Sequence, residues 1–527
     1  MEGLGIVLRV MGNIRRLWQV ARVLSDHGAF LPHEYADRAP ATLRMLSGAL
    51  GRPKDDIAKL PPGQRLAKAL EKIGPSAIKL GQLLSTRVDI VGPEIAHGLE
   101  SLQDRLPPFD NDEARKIVES DLGCKLSETF LEFGPPVAAA SIAQVHEAQT
   151  SDDPPMRVAV KILRPKIVED FARDFDALRF ATKLAERLSR EGRRLRLRAL
   201  VDTMAASVAL ELNLRMEGAA ACELAENMRD QPAFLVPAID WTRTSAHVLT
   251  TEWIDGVPLR DAEKLEAAGH DPKELAIIVL QSFLTQALRD GFFHADLHPG
   301  NLFVDVEGRI HAVDFGIMGR LDQPMRRFLA ETLGGFLTRD YVRVAQVHFD
   351  AGFVPTSHNV ETFAQALRAV GEPIFGLSAK EMSMARLLEQ LFETTRRFDM
   401  QLQPQLILLQ KTMVVVEGVA RMLDPEFDIW EASRPIIEEW MVANLGPEAR
   451  LREAAEGISS LGRVAQHLPQ VLHDTEIIAG QLADGGLRLH PDSVRAISTS
   501  QLRRTRHVRI ALWIAAGALG LIAISGL

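Results

Sequence analysis

Four polar residues, in the order Lys161, Asp296, Asn301 and Asp314, have the side-chain types that phosphoryl transfer from ATP requires. Lys161 ends the β-like segment VAVK, so a rigid strand could aim its ammonium at phosphate oxygens. Asn301 and Asp314 carry the oxygen ligands that Mg²⁺ prefers. Asp296, five positions before Asn301, could act as the base or position the nucleophile. The ordered set predicts a magnesium-nucleotide site, although each residue alone would suggest a cap or a turn.

Short β segments must position these residues. The segment NLFVDVEGRIHAVDFG predicts a hairpin with its turn at residues 306–308, which would let Asn301 and Asp314 bind one metal ion from its two sides. Within residues 126–165, the segments ETFLEF, AQVHEAQT and RVAVKIL predict strands, and SDDPP predicts a hairpin connection between the last two. FLVPAIDW and HVLTTEWIDG predict a further strand pair.

A phosphate-binding lysine needs a carboxylate partner from a helix to hold it in place. Glu217, in ELNLRMEGAA, is the first candidate, Glu211 is the second, and an ordinary exposed helical glutamate is the alternative for Glu217. The two histidines beside Asp296 could suggest a metal pair. A catalytic loop explains them more simply, with His294 as a scaffold residue and His298 in the position after the base that a lysine usually takes.

Two features of protein kinases are missing. Where a glycine-rich phosphate loop would stand, residues 137–146 read VAAASIAQVH. Alanine restricts the backbone more than glycine does, so the nucleotide geometry should be altered; the alternative is an ordinary small-residue helix start. After Asp314 the chain runs directly into an apparent helix without an APE element. This favours a small-molecule acceptor or simple ATP hydrolysis over a protein substrate.

These residues resemble the UbiB family of atypical kinases, also called the aarF-domain or ABC-one-like family, over roughly residues 65–430. The most specific match is KLGQ, residues 79–82, within GPSAIKLGQLLSTRVDI, which corresponds to the family's KxGQ motif. The segment HADLHPGN, residues 294–301, corresponds to HxDxHPGN, and the alanine-rich segment also matches. The chain departs from the family's ExD element, which reads Glu211, Leu212 and Asn213 here.

The resemblance implies ATP and Mg²⁺ as cofactors, with Asp296, Lys161 and Glu217 as catalytic residues and Asn301 and Asp314 as metal ligands. It also implies a regulatory set in which Lys79, Gly81 and Gln82 approach the nucleotide pocket and Glu211 contacts Lys79. The nucleotide-binding residues predicted in addition to Lys161 are Val137, Ala138, Ala139, Ala140, Ser141, Ile142, Ala143, Gln144, Val145 and Glu252.

The predicted fold class is α+β, a mostly helical, bilobal fold like that of an atypical protein kinase. The predicted divisions are a helical extension with the KxGQ motif, a kinase-like N-lobe with the alanine-rich loop, a helical C-lobe, a charged tether and a transmembrane segment. They cover residues 1–125, 126–255, 256–445, 446–509 and 510–527.

The two chain ends point to a membrane. Residues 510–527 are uncharged and as a helix would span about 27 Å, close to the thickness of a bilayer's hydrocarbon core. Four arginines precede this segment and favour a cytoplasmic location for the rest of the chain. The alternatives are a buried C-terminal helix or a reentrant hairpin. The N-terminal segment is an amphipathic helix that either lies on a membrane or packs on the body.

Composition narrows the function further. The formal net charge of −9, from 61 basic and 70 acidic residues, argues against nucleic-acid binding, and two cysteines are too few for a disulfide framework. We expect a kinase or ATPase at the bacterial inner membrane that supports ubiquinone biosynthesis. Its expected partners are lipid, polyprenyl quinone precursors, other ubiquinone-biosynthetic proteins and a second copy of itself. The alternatives are a small-molecule kinase like the aminoglycoside or choline kinases, and a pseudokinase scaffold.

Overall fold

The computed structural model describes residues 2–30, 57, 59–85, 91–99, 101–102, 106–188, 197–375, 390, 394, 397–400 and 403–446. The predicted transmembrane segment, and the predicted tether apart from Gly446, lie outside these residues. Within the described part of the chain, no helix is both long enough and apolar enough to cross a bilayer.

The described chain begins with helices that pack near its N-terminus. They are α1 (Glu2–Asp26), α2 (Pro62–Ile73), α3 (Pro75–Ser85) and α4 (Pro93–Leu99). Buried alanine and leucine side chains join α2, α3 and α4, with Leu70, Ala77 and Leu99 among them. Helix α1 packs on the body of the protein through Arg16, whose guanidinium forms two hydrogen bonds of 2.6 and 2.8 Å with Asp174.

An antiparallel sheet in the order β1–β2–β3–β5 carries Lys161. Its strands are β1 (Phe130–Ala139), β2 (Ala143–Thr150), β3 (Arg157–Leu163) and β5 (Val248–Glu252). Val158, Val160 and Ile162 alternate along β3 and are buried in one core cluster, as the two-residue period of a strand requires. The predicted strands AQVHEAQT and RVAVKIL and their hairpin connection are confirmed. ETFLEF is strand only from Phe130 onwards.

Helices flank this sheet. They are α5 (Asn111–Leu122), α6 (Leu126–Thr129), α7 (Ile167–Leu188), α8 (Leu197–Glu211) and α9 (Leu214–Asn227). Ala114 and Val118 of α5 share a core cluster with β3, while Phe171 of α7 and Val208 of α8 belong to a second cluster with Leu249 of β5. The sheet is therefore covered by helices on both faces.

Two smaller sheets position the remaining predicted site residues. Their strands are β4 (Phe234–Leu235), β6 (Val257–Pro258), β7 (Phe292–His294), β8 (Leu302–Val304), β9 (Ile310–Ala312) and β10 (Met318–Arg320). The sheets have the orders β4–β9–β8–β6 and β10–β7. The predicted β8–β9 hairpin is confirmed. The predicted strand pair FLVPAIDW and HVLTTEWIDG is wrong: β4 pairs with β9, β5 pairs with β3, and only a single bridge, Ile239–Thr251, joins the two segments.

The C-terminal part of the described chain is helical. Its helices are α10 (Ala262–Ala267), α11 (Pro272–Leu284), α12 (Gln323–Leu337), α13 (Tyr341–Asp350), α14 (Val360–Phe375), α15 (Pro404–Leu423) and α16 (Ile429–Leu445). A π-helical turn, Thr285–Asp290, continues α11 and leads into β7. The hydroxyl of Thr412 in α15 donates a hydrogen bond of 3.1 Å to the carbonyl of Ala295, so α15 supports the loop that carries Asp296.

Candidate active site

Lys161 is the centre of the candidate site. Its Nζ lies 2.7 Å from Oε1 of Glu217 and 2.9 Å from Oδ1 of Asp314. Burial lowers the pKa of the ammonium, but the charges of Asp314 and Glu217 outweigh this effect and raise it, so Lys161 stays protonated. The structure thus brings three of the predicted site residues together around one ammonium group.

Glu217, the first of the two candidate partners for Lys161, lies in the first turn of α9 and is 7% exposed. Burial raises the pKa of its carboxyl, and the nearby Lys161 ammonium opposes that rise. Asn213 caps α9, since its side-chain oxygen accepts a hydrogen bond of 3.2 Å from the backbone N–H of Arg215. Asparagine caps helices as well as aspartate does. This departure from the ExD element therefore preserves the cap of the helix that carries Glu217.

Asp314 follows β9 with a φ of 64°, in the left-handed region that non-glycine residues rarely adopt and that clusters at functional sites. About half of the Asp314 side chain is exposed, at 47%. Its partial burial would raise the pKa of the carboxyl, but Lys161, Lys79 and His294 together hold that pKa well below its ordinary value. The neighbouring Phe315 is buried, and its ring lies 5.5 Å from that of His294. Asp314 is therefore ionised, and its backbone conformation is supported by a packed neighbour.

The segment between β7 and β8 holds Asp296 and Asn301 together. The side-chain amide of Asn301 donates a hydrogen bond of 3.1 Å to the backbone carbonyl of Asp296. The backbone carbonyl of Asn301 accepts one of 2.9 Å from the N–H of Val313, directly before Asp314. The β8–β9 pairing thus places Asn301 beside the residue that precedes Asp314.

His294 is a scaffold residue in the structure. It is fully buried, its Nδ1 accepts a hydrogen bond of 3.1 Å from the backbone N–H of Asp296, and its Nε2 donates one of 3.3 Å to the carbonyl of Val313. Burial lowers the pKa of the imidazole, which fits this neutral tautomer. The side-chain carbonyl of Gln286, in the π-helical turn, accepts from the backbone N–H of His294 at 3.0 Å. His294 therefore joins the loop of Asp296 to the strand end before Asp314.

The donor set fits magnesium bound to a nucleotide. The amide oxygen of Asn301 and the carboxylate of Asp314 are hard oxygen ligands, and a protein typically gives Mg²⁺ only one or two carboxylates together with phosphate oxygens. Among the described residues, no group of three His, Cys, Asp or Glu side chains could hold a metal ion by itself. The arrangement therefore suits a metal that arrives with phosphates.

Lys79 of the KLGQ segment lies on α3 and is 8% exposed. Its Nζ is 2.7 Å from Oε2 of Glu211, the last residue of α8. Its charge also lowers the pKa of Asp314, which places Lys79 within electrostatic reach of the candidate site. The two glutamates considered for Lys161 are thus divided between two lysines.

The other KLGQ residues differ from Lys79 in their surroundings. A Cβ atom on Gly81 would lie 2.4 Å from Leu102 and 2.6 Å from Leu70, far inside normal contact. Gly81 is therefore required for the close packing of α3. Gln82 is half-buried, and its backbone carbonyl accepts a hydrogen bond of 2.7 Å from Ser85.

The predicted nucleotide-binding segment 137–145 is a strand-turn-strand unit, which excludes a helix start. β1 runs through Val137, Ala138 and Ala139, Ala140 forms a hydrogen bond of 2.8 Å from its N–H to the carbonyl of Ala143, and β2 begins there. Ser141 and Ile142 form the turn and Val145 lies in β2. Because each alanine fits an extended strand, the sequence builds a hairpin where protein kinases use a glycine-rich one.

Two predicted nucleotide-binding residues point their side chains elsewhere. Gln144 is fully buried, accepts a hydrogen bond of 2.9 Å from the N–H of Phe109 and donates one of 2.8 Å to Nε2 of His146. Glu252, at the end of β5, accepts a hydrogen bond of 3.3 Å from the N–H of Ala238. Gln144 therefore holds the framework of the sheet, while the exposed Glu252 forms this one contact at the sheet edge.

Sequence reasoning missed two supporting residues. Gln286 supports the backbone of His294 from the π-helical turn, and Arg164, directly after β3, binds the carbonyl of Ala140. A polar residue in an otherwise apolar helix is the sequence signal for Gln286. Arg164 is a polar residue directly after a strand, which is a common pattern, so the sequence gives no signal that would single it out.

Comparison with known proteins agrees with this geometry. Residues 101–348 match the ABC1 atypical kinase-like domain, and residues 367–428 match the UbiB helical domain. The probable protein kinase UbiB of Marinobacter nauticus is 40% identical over 471 residues, which are 88% of this chain and 85% of the relative. The solved Rv3197–erythromycin complex from Mycobacterium tuberculosis has a TM-score of 0.50 at 24% identity, covering 71% of this chain and 95% of that one, and supports the fold alone. This chain belongs to the UbiB family of atypical kinases.

Proposed function

We propose that this protein is a Mg²⁺-ATP-dependent phosphotransferase or ATPase that acts at a membrane surface in support of ubiquinone biosynthesis. The observation that carries the proposal is the contact of the Lys161 ammonium with both Glu217 and Asp314, at 2.7 and 2.9 Å. A lysine held by a helical glutamate beside a metal-binding aspartate is the arrangement that phosphoryl transfer uses in kinases. The ubiquinone role follows from the name of the UbiB relative.

Each residue has a defined task in this proposal. Lys161 orients phosphate oxygens, and Glu217 holds its ammonium against the strand. Asn301 and Asp314 would hold Mg²⁺, which neutralises charge on the phosphates when it is bound with ATP. The carboxylate of Asp296 accepts a proton from the incoming hydroxyl or positions it. The buried His294 fixes the backbone of Asp296 and has no protonic role, since both its ring nitrogens are used by backbone groups.

The pair of Lys79 and Glu211 suits a regulatory role for the KLGQ segment. It is nearly buried, with 10% and 13% of the two side chains exposed, and Lys79 acts on the charge of Asp314. A second cation beside the metal-binding carboxylate competes with a divalent ion for the same negative charge. Movement of α3 would therefore change the affinity of the site for magnesium-nucleotide.

The outer face of α1 supports contact with an anionic membrane. Met11, Ile14 and Trp18 are 62%, 42% and 54% exposed and lie within two turns on one side of the helix. Arg15 is exposed on the same face, and the guanidinium of Arg22 lies 5.5 Å from the Trp18 ring. Apolar, aromatic and arginine side chains on one face are typical of helices that lie in the headgroup region. The inner face packs on the protein through Arg16, so packing on the body leaves the outer face available for the proposed membrane contact.

Sedimentation with vesicles tests this contact. Wild-type protein should bind vesicles containing phosphatidylglycerol more tightly than pure phosphatidylcholine, and Trp18→Ser should weaken binding. Trp241→Ser is the matched control because Trp241 is 43% exposed on a different part of the chain. Equal losses for the two variants would refute the assignment to α1.

Substitution of Asp314 tests the catalytic proposal. Asp314→Asn should abolish Mg²⁺-dependent ATP turnover while the protein remains folded, because the amide cannot replace the metal-binding charge. Glu307→Gln, on the exposed turn of the same hairpin, should leave turnover unchanged. Full ATPase activity in Asp314→Asn would refute the metal assignment.

The alternatives give different outcomes. A small-molecule kinase of the aminoglycoside or choline type would phosphorylate a soluble alcohol or amine stoichiometrically, with no response to lipid or quinone analogues. A pseudokinase scaffold, which binds other biosynthetic proteins, would rescue a quinone-deficient strain even as Asp296→Asn. Failure of that variant with normal protein levels would support the enzyme.

A further inference from the structure

Arg164, directly after β3, holds the alanine-rich hairpin by both its backbone and its side chain. Its N–H donates a hydrogen bond of 2.8 Å to the carbonyl of Ile142. Its guanidinium donates two more to the carbonyl of Ala140, of 3.0 Å from Nε and 2.8 Å from Nη2. Because the peptide bond is planar, fixing the Ala140 carbonyl also fixes the plane that contains the next N–H. The tip of the hairpin is therefore oriented by one side chain.

The same guanidinium ties the hairpin to residues 107–109 of the N-terminal extension. Nη2 donates a further hydrogen bond of 2.9 Å to the carbonyl of Pro107, and the guanidinium lies 5.8 Å from the ring centre of Phe109. The N–H of Phe109 in turn donates to the buried side chain of Gln144. Residues 107–109 thus contact the hairpin at its tip and at the start of β2.

The choice of partners for this arginine is informative. Among the described residues, none of its recorded partners is a carboxylate; the positive charge is satisfied by two carbonyls and an aromatic ring. Partial burial lowers the pKa of the guanidinium, although an arginine remains charged at any ordinary pH. Hydrogen bonds from a charged donor are stronger than neutral ones, so a guanidinium that binds backbone carbonyls fixes a loop firmly.

We propose that Arg164 is a positioning residue for nucleotide binding, which fixes the tip of the alanine-rich hairpin through the Ala140 carbonyl and links it to residues 107–109. This inference rests on the proposed function and on the prediction that residues 137–145 bind the nucleotide. A glycine-rich loop adapts to its ligand, whereas this hairpin is held in one place before the ligand arrives. Loss of the guanidinium therefore weakens ATP binding more than it slows the transfer step.

Steady-state kinetics with ATP test the proposal. Arg164→Ala should raise the KM for ATP by roughly tenfold with a much smaller change in kcat, the scale expected when charged hydrogen bonds that fix a binding loop are lost. Arg164→Lys should fall between Arg164→Ala and wild type, since one ammonium cannot reproduce the planar fork. Guanidinium ion at millimolar concentration should partly restore ATP binding to Arg164→Ala.

Arg115 provides a matched control on the same hairpin. Its guanidinium donates one hydrogen bond of 2.9 Å to the carbonyl of Phe133 and lies 5.5 Å from the centre of the Phe133 ring, but Phe133 lies in the first half of β1, away from the turn. Arg115→Ala removes a similar contact far from the turn. We expect it to change the KM for ATP by less than about twofold, within ordinary surface effects.

Hydrogen exchange separates this inference from the proposed function. Amides of residues 138–143 should exchange faster in Arg164→Ala than in Arg115→Ala, in the absence of nucleotide. Equal exchange, or equal KM values for the two alanine variants, would overturn the role of Arg164 while leaving the proposed function intact. A wild-type protein that bound no ATP would overturn the proposed function and the nucleotide role of Arg164 together.

Discussion

The ion pair of Lys79 and Glu211 gives a quantitative prediction. Its charged atoms are 2.7 Å apart, and only 10% and 13% of the two side chains are exposed. Removing one partner from a buried pair typically costs about 3–5 kcal/mol, because the other charge stays buried and loses its nearest opposite charge. Since about a tenth of each side chain still meets solvent, we expect about 3 kcal/mol for Lys79→Met and a similar loss for Glu211→Gln.

The double variant should lose no more than either single variant. Once one charge is absent, removing the second also removes the cost of burying it, so the coupling free energy of the pair should be about 3 kcal/mol. Urea unfolding of the four proteins, followed by circular dichroism at neutral pH, measures this quantity. Additive losses within about 0.5 kcal/mol would refute the claim that the two side chains form a buried pair.

An exposed pair serves as the control for this cycle. Arg157 and Glu147 are 2.8 Å apart, close to the distance in the buried pair, but 48% and 40% of their side chains are exposed. Pairs of this kind contribute little to stability, because solvent screens their charges. A coupling free energy equal to that of the buried pair would show that distance, and not burial, controls the result.

Three further predictions concern stability. Asp305, which accepts hydrogen bonds from Arg309 and His311, has a pKa lowered to about 2, so its contribution is complete above about pH 4 and is lost as the pH falls through 2. Asp305→Asn should reduce the free energy of unfolding by about 2 kcal/mol at neutral pH and flatten its acid dependence. Gly81→Ala should destabilise by about 1–3 kcal/mol through overpacking, whereas Gly12→Ala, with nothing within 4 Å, should be neutral or stabilising in thermal unfolding. Asn213→Ala should cost about 1 kcal/mol and Asn213→Asp much less in the same measurement.

The sequence correctly predicted those elements that are determined by residue patterns within a short segment. The VAVK strand and the β8–β9 hairpin follow from side-chain alternation and turn residues, and both are observed. The predicted pairing of FLVPAIDW failed because its apolar residues belong to two sheets. Phe234 and Leu235 pair with β9, while Ile239 forms a bridge to β5. Periodicity within one segment cannot show that its two halves have different partners.

The alanine-rich segment shows a similar limit. Small residues were compatible with a helix start or with a loop, and propensity alone does not choose between them. The strand is selected by tertiary contacts, since β1 pairs along β2 from Phe130 to Ala139 and Arg164 binds the carbonyl of Ala140 at the turn. The spacing of the alanines predicts neither of these contacts.

The division of two glutamates between two lysines explains why the sequence left the partner of Lys161 open. Glu211 ends α8 and Glu217 lies in the first turn of α9, and the break between the helices, where Asn213 caps α9, turns the chain so that the two carboxylates contact different elements. Glu217 contacts Lys161 of β3, and Glu211 contacts Lys79 of the N-terminal extension. The break between α8 and α9 therefore separates the two glutamates, and it connects the N-terminal extension to the helix whose Glu217 holds Lys161.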